Sequence, residues 1–143
     1  MSDQEIGEIL RRSRVVAVVG LSGDPGRPSF QVAAYLQRHG YRVVPVNPFV
    51  WEVLGERSYG SLVEVPVELQ RVLDVVDVFR RSADVPGVVA DVVRVREAVG
   101  RPFVVWMQLG VVSVEAAEVA RRAGLVVVMD RCMMEEHRRL GLG

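Results

Sequence analysis

Five short apolar runs, each followed or preceded by a stretch of helical periodicity, constrain the fold of this chain most strongly. The runs are rich in valine and are only five to seven residues long. Nearly continuous apolar runs of this length are typical of strands buried on both faces, as in a parallel sheet. We therefore predict five strands, at residues 15–19, 41–46, 73–79, 103–107 and 125–129.

The segments between these runs predict helices. Apolar residues recur there at helical spacing, and three of the segments stop at a glycine, namely Gly40, Gly100 and Gly124. A glycine just beyond the last helical turn is a common helix end. The predicted helices cover residues 3–12, 30–39, 84–99, 113–123 and 132–140.

Strands that alternate with helices predict an α/β fold, specifically a Rossmann-like doubly wound sheet of five parallel strands with helices on both faces. We expect the strand order 3-2-1-4-5, with the switch point between the first and fourth strands. No repeat or linker interrupts the pattern, so residues 1–143 are expected to form a single domain. Ligands bind such sheets at the carboxyl ends of the strands.

Composition narrows the class of partner. Lys and Arg together number 18, as do Asp and Glu, so the formal net charge is zero and electrostatic capture by nucleic acid or an anionic membrane is not expected. No apolar stretch has the length of a membrane span, and the first residues lack the basic region of a secretory signal. A lone cysteine, Cys132, fits a reducing cytoplasm.

The loop at residues 20–29, between the first strand and the next helix, is the main candidate for a ligand site. Its glycines, Gly20, Gly23 and Gly26, are spaced G-x-x-G-x-x-G. Free backbone N–H groups and the dipole of the following helix attract phosphate at such a place. The alternative is a turn that needs only glycine flexibility. The other candidate ligand residues in the loop are Ser22, Asp24, Pro25 and Arg27.

A dinucleotide site of the usual kind is disfavoured. The G-x-G-x-x-G fingerprint needs glycine where this chain has Ser22 and Pro25. It also needs an acidic residue at the end of the second strand to hold a ribose, and this strand ends in Val46, Asn47 and Pro48.

Further candidates follow the other predicted strands. Asn47 and Pro48 are either ligand contacts or turn formers. Phe79 and Arg80 end the third strand and are either an adenine or phosphate contact or, with Arg81, a solvated charged segment. In the fourth strand Trp106 and Met107 would usually be core, whereas Gln108 at its end needs a polar partner.

The catalytic inventory is thin. His39 stands at a helix end, where a cation is favourable. Cys132 and His137 are five residues apart and so do not share a helix face, which argues against a metal site. The chain has no P-loop lysine and no G-x-S-x-G motif, so we predict neither a catalytic residue nor a metal ligand.

Several separated segments resemble the small bacterial and archaeal CoA-binding proteins, which are similar to the CoA-binding N-terminal domain of the succinyl-CoA synthetase α subunit. These segments are residues 16–22 with 27–29, 40–48, 74–82, 105–110 and 128–132. The resemblance implies a Rossmann-like domain that binds coenzyme A and has no reaction of its own. It places ligand contacts at Ser22, Gly23, Asp24, Pro25, Trp106, Met107 and Gln108.

Two departures from the synthetase bear on function. The synthetase has a lysine after the second strand, whereas residues 49–51 contain no cation, so Arg27 or Arg80 is expected to supply the charge. The phosphorylated histidine of the synthetase belongs to a following domain, and neither His39 nor His137 corresponds to it.

Three functions therefore stand as alternatives. The first is a module that binds coenzyme A or an acyl-CoA and is not catalytic on its own. The second is a subunit of an acyl-CoA ligase or transferase that is complete only with a protein partner, whose identity the sequence does not show. The third is an NAD(H)-binding redox sensor.

Overall fold

Helices and strands alternate along the chain in the computed structural model, which describes residues 1–142. The helices are α1 (Asp3–Arg12), α2 (Pro28–Arg38), α3 (Val67–Gln70), α4 (Val85–Val99), α5 (Val114–Arg122) and α6 (Met133–Arg139). The strands are β1 (Val15–Val19), β2 (Arg42–Val46), β3 (Glu52–Val53), β4 (Glu56–Arg57), β5 (Val75–Val78), β6 (Val104–Met107) and β7 (Val126–Val128). Each of the five predicted long strands is present, and the five predicted helices are confirmed to within a few residues.

The five long strands form one parallel sheet in the order β2-β1-β5-β6-β7. Numbered along the chain within this sheet, that order is 2-1-3-4-5. The Rossmann-like parallel sheet is confirmed, but the expected order 3-2-1-4-5 is wrong in the position of the third strand. This strand, β5, pairs with β1, and Val18 is level with Asp77.

The position of β5 moves the switch point. Because β1 lies between β2 and β5, the chain reverses direction across the sheet between β1 and β5, and not between the first and fourth strands. The connection from β2 to β5 also contains a short antiparallel hairpin, β3–β4, which the sequence did not predict. The loops that face each other across the switch point are therefore those after β1 and after β5.

Two apolar layers cover the sheet because successive side chains of a strand point to opposite faces. One face packs against α4 and α5, through residues such as Val89 and Ala117. The other packs against α1, α2 and α6, through residues such as Ile6, Leu36 and Met133. Helices on both faces explain why the strands are nearly continuous apolar runs.

Side-chain caps fix the start of two helices that have no role in the predicted site. Ser2 and Glu5 form a capping box at α1, and the Ser113 hydroxyl accepts from the N–H of Ala116 at α5. None of the helices within residues 1–142 has the length and apolar character that a membrane span requires.

The two carboxyl groups near β5 have opposite surroundings. Asp74 accepts hydrogen bonds from the backbone N–H groups of Arg14 (2.8 Å) and Val15 (3.0 Å) and pairs with Arg101 (2.5 Å). Asp77 is fully buried on the α2 face, and neither of its oxygens has a hydrogen-bond partner among residues 1–142. Loss of hydration by burial raises the pKa of Asp77 well above its ordinary value.

Candidate functional site at the carboxyl edge

Three loops meet where β1, β2 and β5 end. The loop after β1 covers residues 20–27, the turn after β2 begins at Asn47, and the segment after β5 begins at Phe79. Side-chain and backbone contacts join all three loops, and the switch point lies between the first and the third. This is the place where a parallel α/β sheet binds a ligand.

Gly20 allows the loop after β1 to pass close to the end of β5. Its φ of +87° lies in the left-handed region, and its N–H donates to the carbonyl of Val46 at 2.8 Å. A Cβ atom placed on Gly20 would collide with the backbone carbonyl oxygen of Phe79. The first glycine is therefore required by backbone packing, which is a structural role.

Gly23 and Gly26 are in a different position. Neither has a positive φ, and the nearest atom to a Cβ on either residue would be 3.4 Å away, the Val50 side chain for Gly23 and the Asp24 carboxylate for Gly26. An added methyl group would fit the protein at both positions. The absence of a side chain at Gly23 thus leaves open space on the surface of the loop, where a ligand can approach the backbone closely.

Hydrogen bonds within the loop hold its shape. The Ser29 hydroxyl accepts from the N–H of Ser22 (2.9 Å), and the Ser22 hydroxyl accepts from the N–H of Asp24 (3.0 Å). The Asp24 carboxylate accepts from the N–H of Gly26 at 2.9 Å. The side chains of Ser22 and Asp24 therefore shape the loop, and Pro25 is exposed at its tip. Ser29 is buried, and its structural role was not predicted.

The first turn of α2 lacks the usual caps. Its N-cap residue, Arg27, makes no capping hydrogen bond, Pro28 at the first position has no N–H, and the turn contains no acidic residue. The N–H groups of Ser29 and Phe30 find no acceptor among residues 1–142. Unpaired N–H groups and the positive end of the helix dipole together attract an anion.

Both polar atoms of the Asn47 side chain have structural partners. Its amide nitrogen donates to the carbonyl of Leu21 at 2.9 Å, and its amide oxygen accepts from the N–H of Phe49 at 2.9 Å. Asn47 thus forms the turn after β2 and ties that turn to the glycine loop. Of the two predicted roles, the structure shows the turn former.

Arg80 is the cation nearest to the glycine loop from the β5 side. Its Cδ atom would lie 3.1 Å from a Cβ on Gly20, so the side chain runs over the start of the loop. Arg80 forms no ion pair with a carboxylate of residues 1–142, whereas its neighbour Arg81 pairs with Asp84 at 3.2 Å. Arg27 is exposed and also unpaired within the described residues, on the other side of the loop.

A cavity of about 270 Å³ opens beside Arg80, on the α4 side of the sheet. Apolar side chains form much of its wall, including Val19, Val46, Pro48, Leu62 and Val88. Two carboxylates, Asp84 and Asp91, also line it. Pro48 and Arg80 were predicted at the site. Asp84 and Asp91 were not predicted, because they reach the cavity through their positions at the start of α4 and within it, and no sequence motif marks them. Phe79, also predicted, is half-buried against the other face.

The predicted contacts after the fourth strand do not face this site. Trp106 and Met107 are fully buried, and the Trp106 indole N–H donates to the carbonyl of Arg131 at 2.8 Å. Gln108 is 4% exposed and its side-chain oxygen accepts from the N–H of Met133, at the start of α6. Trp106 and Gln108 thus contact the residues at the start of α6, whereas Met107 packs in the core on the α4 and α5 face.

Two larger cavities, of about 420 and 510 Å³, contain no residue of the glycine loop. One lies at the amino ends of β5 and β6 and the other along β7, the edge strand. No group of three His, Cys, Asp or Glu side chains within residues 1–142 is arranged to hold a metal ion. The carboxyl edge is thus the place where the described structure combines unpaired N–H groups, unpaired cations and a cavity.

A parallel sheet of this topology, with a glycine loop and an uncapped helix at the switch point, defines a Rossmann-like domain of the nucleotide-binding class. Residues 14–138 match the family described as "CoA binding domain". The chain therefore belongs to the CoA-binding domain family, and the resemblance seen in the sequence is confirmed.

Two relatives match nearly the whole of this chain. The chain is 40% identical over 136 residues to the "Uncharacterized protein YneT" of Bacillus subtilis (strain 168), covering 95% of this chain and 94% of YneT. It is 39% identical to a "hypothetical protein from Pyrococcus horikoshii OT3", with a TM-score of 0.89 over 100% of this chain and 94% of that one.

A larger enzyme contains a similar domain. A dinucleotide forming acetyl-coenzyme A synthetase 1 from Ca. Korarchaeum cryptofilum is 26% identical, with a TM-score of 0.62. The similarity covers 81% of this chain but only 26% of the synthetase chain. The shared part is therefore one domain of a much longer enzyme.

Proposed function

We propose that this chain binds coenzyme A, free or acylated, at the carboxyl edge of the sheet and performs no chemistry on its own. The single observation that carries the proposal is the uncapped first turn of α2, in a member of a CoA-binding family. The N–H groups of Ser29 and Phe30 are left for an acceptor that residues 1–142 do not supply. The pyrophosphate of coenzyme A is such an acceptor.

Arg80 is our candidate for the cation that neutralises the phosphates. Its side chain lies along Gly20, and it has no carboxylate partner in the described chain. Hydrogen bonds from guanidinium to phosphate are charge-assisted and short, so one arginine on this side of the loop contributes substantially. Arg27, at the N-cap of α2, is the candidate on the opposite side.

The adenosine end is assigned to the cavity of about 270 Å³ between the ends of β2 and β5. Its apolar wall suits a flat aromatic base, and the carboxylates of Asp84 and Asp91 can accept from ribose hydroxyls or the adenine amino group. The same carboxylates repel phosphate. The charge distribution therefore favours phosphates on the Arg80 and loop side, with the nucleoside deeper on the α4 side.

Subunit function in an acyl-CoA ligase is the second candidate. The similarity to one domain of an acetyl-coenzyme A synthetase favours it. In that case a partner chain would supply the catalytic groups, because the loops after β1, β2 and β5 contain no histidine or cysteine. Co-purification with a second chain that confers acyl-CoA synthesis would support this candidate over a free-standing binding module.

A thermal-shift and calorimetric titration tests the main proposal. Coenzyme A and acetyl-CoA should raise the unfolding temperature of the intact chain, because a ligand that binds only the native state stabilises it, by about 2.7 kcal/mol at a concentration 100 times Kd. NADH and ATP should be weaker at equal ionic strength. Stabilisation by NADH with no effect of coenzyme A would refute the proposal.

A pair of neighbouring arginines provides a matched control. Arg80→Gln should weaken coenzyme A binding by about tenfold or more, the usual effect of losing a charged hydrogen bond. Arg81→Gln makes the same change of charge at a residue that already pairs with Asp84, and should leave affinity within about twofold. Equal losses of coenzyme A affinity in the two variants would indicate a general effect of positive charge and would contradict a direct contact between Arg80 and the ligand.

A further inference from the structure

A further cavity, of about 300 Å³, lies at the amino ends of β1 and β2, at the edge of the sheet opposite the proposed coenzyme A site. It is formed where the last turns of α1 and α2 and the helix α6 surround the starts of β1 and β2. The polar side chains that line it are Arg11, Ser13, Arg14, His39, Tyr41 and His137. Both histidines of the chain are among them.

The two imidazoles are positioned by Tyr35. His39 stacks on the Tyr35 ring with centroids 3.9 Å apart, and its Nδ1 lies 2.8 Å from the Tyr35 carbonyl oxygen. A carbonyl oxygen only accepts, so Nδ1 of His39 carries a proton and its Nε2 is the free atom. His137 bonds the Tyr35 hydroxyl at 2.8 Å through Nδ1, and its ring centroid is 5.2 Å from that of His39.

Positive charge is concentrated around this pair. Arg11 and Arg14 line the cavity, and the Arg138 guanidinium lies 4.8 Å above the Tyr35 ring. None of these three arginines forms an ion pair with a carboxylate of residues 1–142. The residues that line the cavity in the described chain include no acidic side chain.

His137 is the member of the pair whose pKa is shifted by its surroundings. Burial, and secondarily the nearby His39, lower the pKa of His137 below its ordinary value. Protonation of His137 is thus unfavourable while no anion is present. A bound anion would reverse this effect.

Helix ends explain part of this charge but not all of it. Cations stabilise the negative end of a helix dipole, and Arg11, His137 and Arg138 stand in last turns. Arg14 also caps α1, through bonds from Nη1 to the carbonyls of Arg11 and Ser13. Compensation of dipoles does not require an open cavity of ligand size between the cations, however.

We infer that this cavity is a second ligand site, and that it binds a tetrahedral oxyanion, either free phosphate or the phosphate group of a small phosphorylated molecule. Donors approach the cavity from α1, the start of β1, the end of α2, and α6, which suits a tetrahedral anion better than a planar carboxylate. The inference does not depend on coenzyme A binding, because the two sites lie at opposite edges of the sheet.

An NMR titration with inorganic phosphate tests the inference on the intact chain. At constant ionic strength, phosphate should shift the amide resonances of residues 11–14 and 39–41 in a saturable manner, and it should raise the pKa of His137. Phenyl phosphate in a second arm distinguishes the sources, since tighter binding than phosphate would indicate a phosphorylated molecule. Equal shifts with chloride would indicate screening alone and overturn the inference.

Neighbouring arginines of α1 again provide a matched pair. Arg11→Gln should weaken phosphate binding at the amino edge by about tenfold. Arg12→Gln makes the same change of charge at a residue that does not line this cavity, and should have little effect. Phosphate shifts confined to residues 22–30, or equal losses in the two variants, would also overturn the inference. Unchanged coenzyme A affinity in Arg11→Gln would confirm that the sites are independent.

Discussion

Replacing the buried Asp77 by valine should stabilise the protein. Asp77 is fully buried between Val18 of β1 and Trp106 of β6, and neither carboxyl oxygen has a hydrogen-bond partner within residues 1–142. Valine is β-branched and apolar, like most of its neighbours in the sheet. A neutral polar group buried without partners costs about 1–3 kcal/mol, so Asp77→Val should gain about that much at acidic pH.

The gain should increase with pH. Burial raises the pKa of Asp77, so above the unfolded-state pKa of 3.8 the unfolded chain has released this proton while the folded chain retains it. The unfolded state then binds fewer protons, and wild-type stability falls by about 1.4 kcal/mol per pH unit until the pKa of the folded state is reached. Valine removes this dependence. The advantage of the variant should therefore widen steadily from about pH 4 upward.

Urea unfolding of both proteins between pH 4 and pH 7 measures this advantage, with equal m-values required for the comparison. Asp74→Val is the matched control, because Asp74 accepts from two backbone N–H groups and pairs with Arg101. That variant should lose about 2–4 kcal/mol. A destabilised Asp77→Val protein, or a gain that does not change with pH, would refute the reasoning and show that Asp77 has a partner in solution.

Four further substitutions test the loop, the core and α6 by chemical denaturation. Gly20→Ala should lower the free energy of unfolding by about 2–5 kcal/mol, because Gly20 has a positive φ and an added Cβ would collide with the backbone of Phe79. Gly23→Ala should lower it by less than about 1 kcal/mol; equal losses in the two variants would contradict this explanation. Trp106→Phe removes the indole hydrogen bond and should lower the free energy of unfolding by about 1 kcal/mol, but it should leave the affinity for coenzyme A unchanged. Weaker binding of coenzyme A by this variant would indicate that Trp106 contacts the ligand. Burial would raise the pKa of Glu136, but hydrogen bonds from Arg131 and Arg139 outweigh this effect and lower the pKa. Glu136→Gln should therefore reduce the free energy of unfolding by about 1–2 kcal/mol at neutral pH and leave it unchanged well below about pH 4; a loss that persists at low pH would contradict a role for the ion pairs.

The location of the site depends on a single strand. With the expected order, the loop after the first strand would face Trp106 and its neighbours across the switch point. In the structure β5 occupies that place, so Arg80 and the cavity beside it face the glycine loop instead. The coenzyme A site that we propose is therefore built from the loops after β1, β2 and β5.

The sequence by itself determined the elements and the class of fold. Valine-rich runs such as residues 15–19 have few alternatives to a buried strand, and helix ends at Gly40 and Gly100 depend on neighbouring residues alone. It also located the glycine loop, whose position between a strand and a helix is a local property. The exclusion of the usual dinucleotide fingerprint was equally local.

Only the tertiary structure decided which strand lies beside β1, and with it which side chains surround the site. Both strand orders use the same elements in the same sequence, and the choice between them depends on long-range pairing that no local pattern encodes. For the same reason the sequence left two roles open for Asn47, whose hydrogen bonds to Leu21 and Phe49 form only in the folded chain. The two histidines, far apart in sequence, likewise meet at the amino edge only because α6 packs against α2.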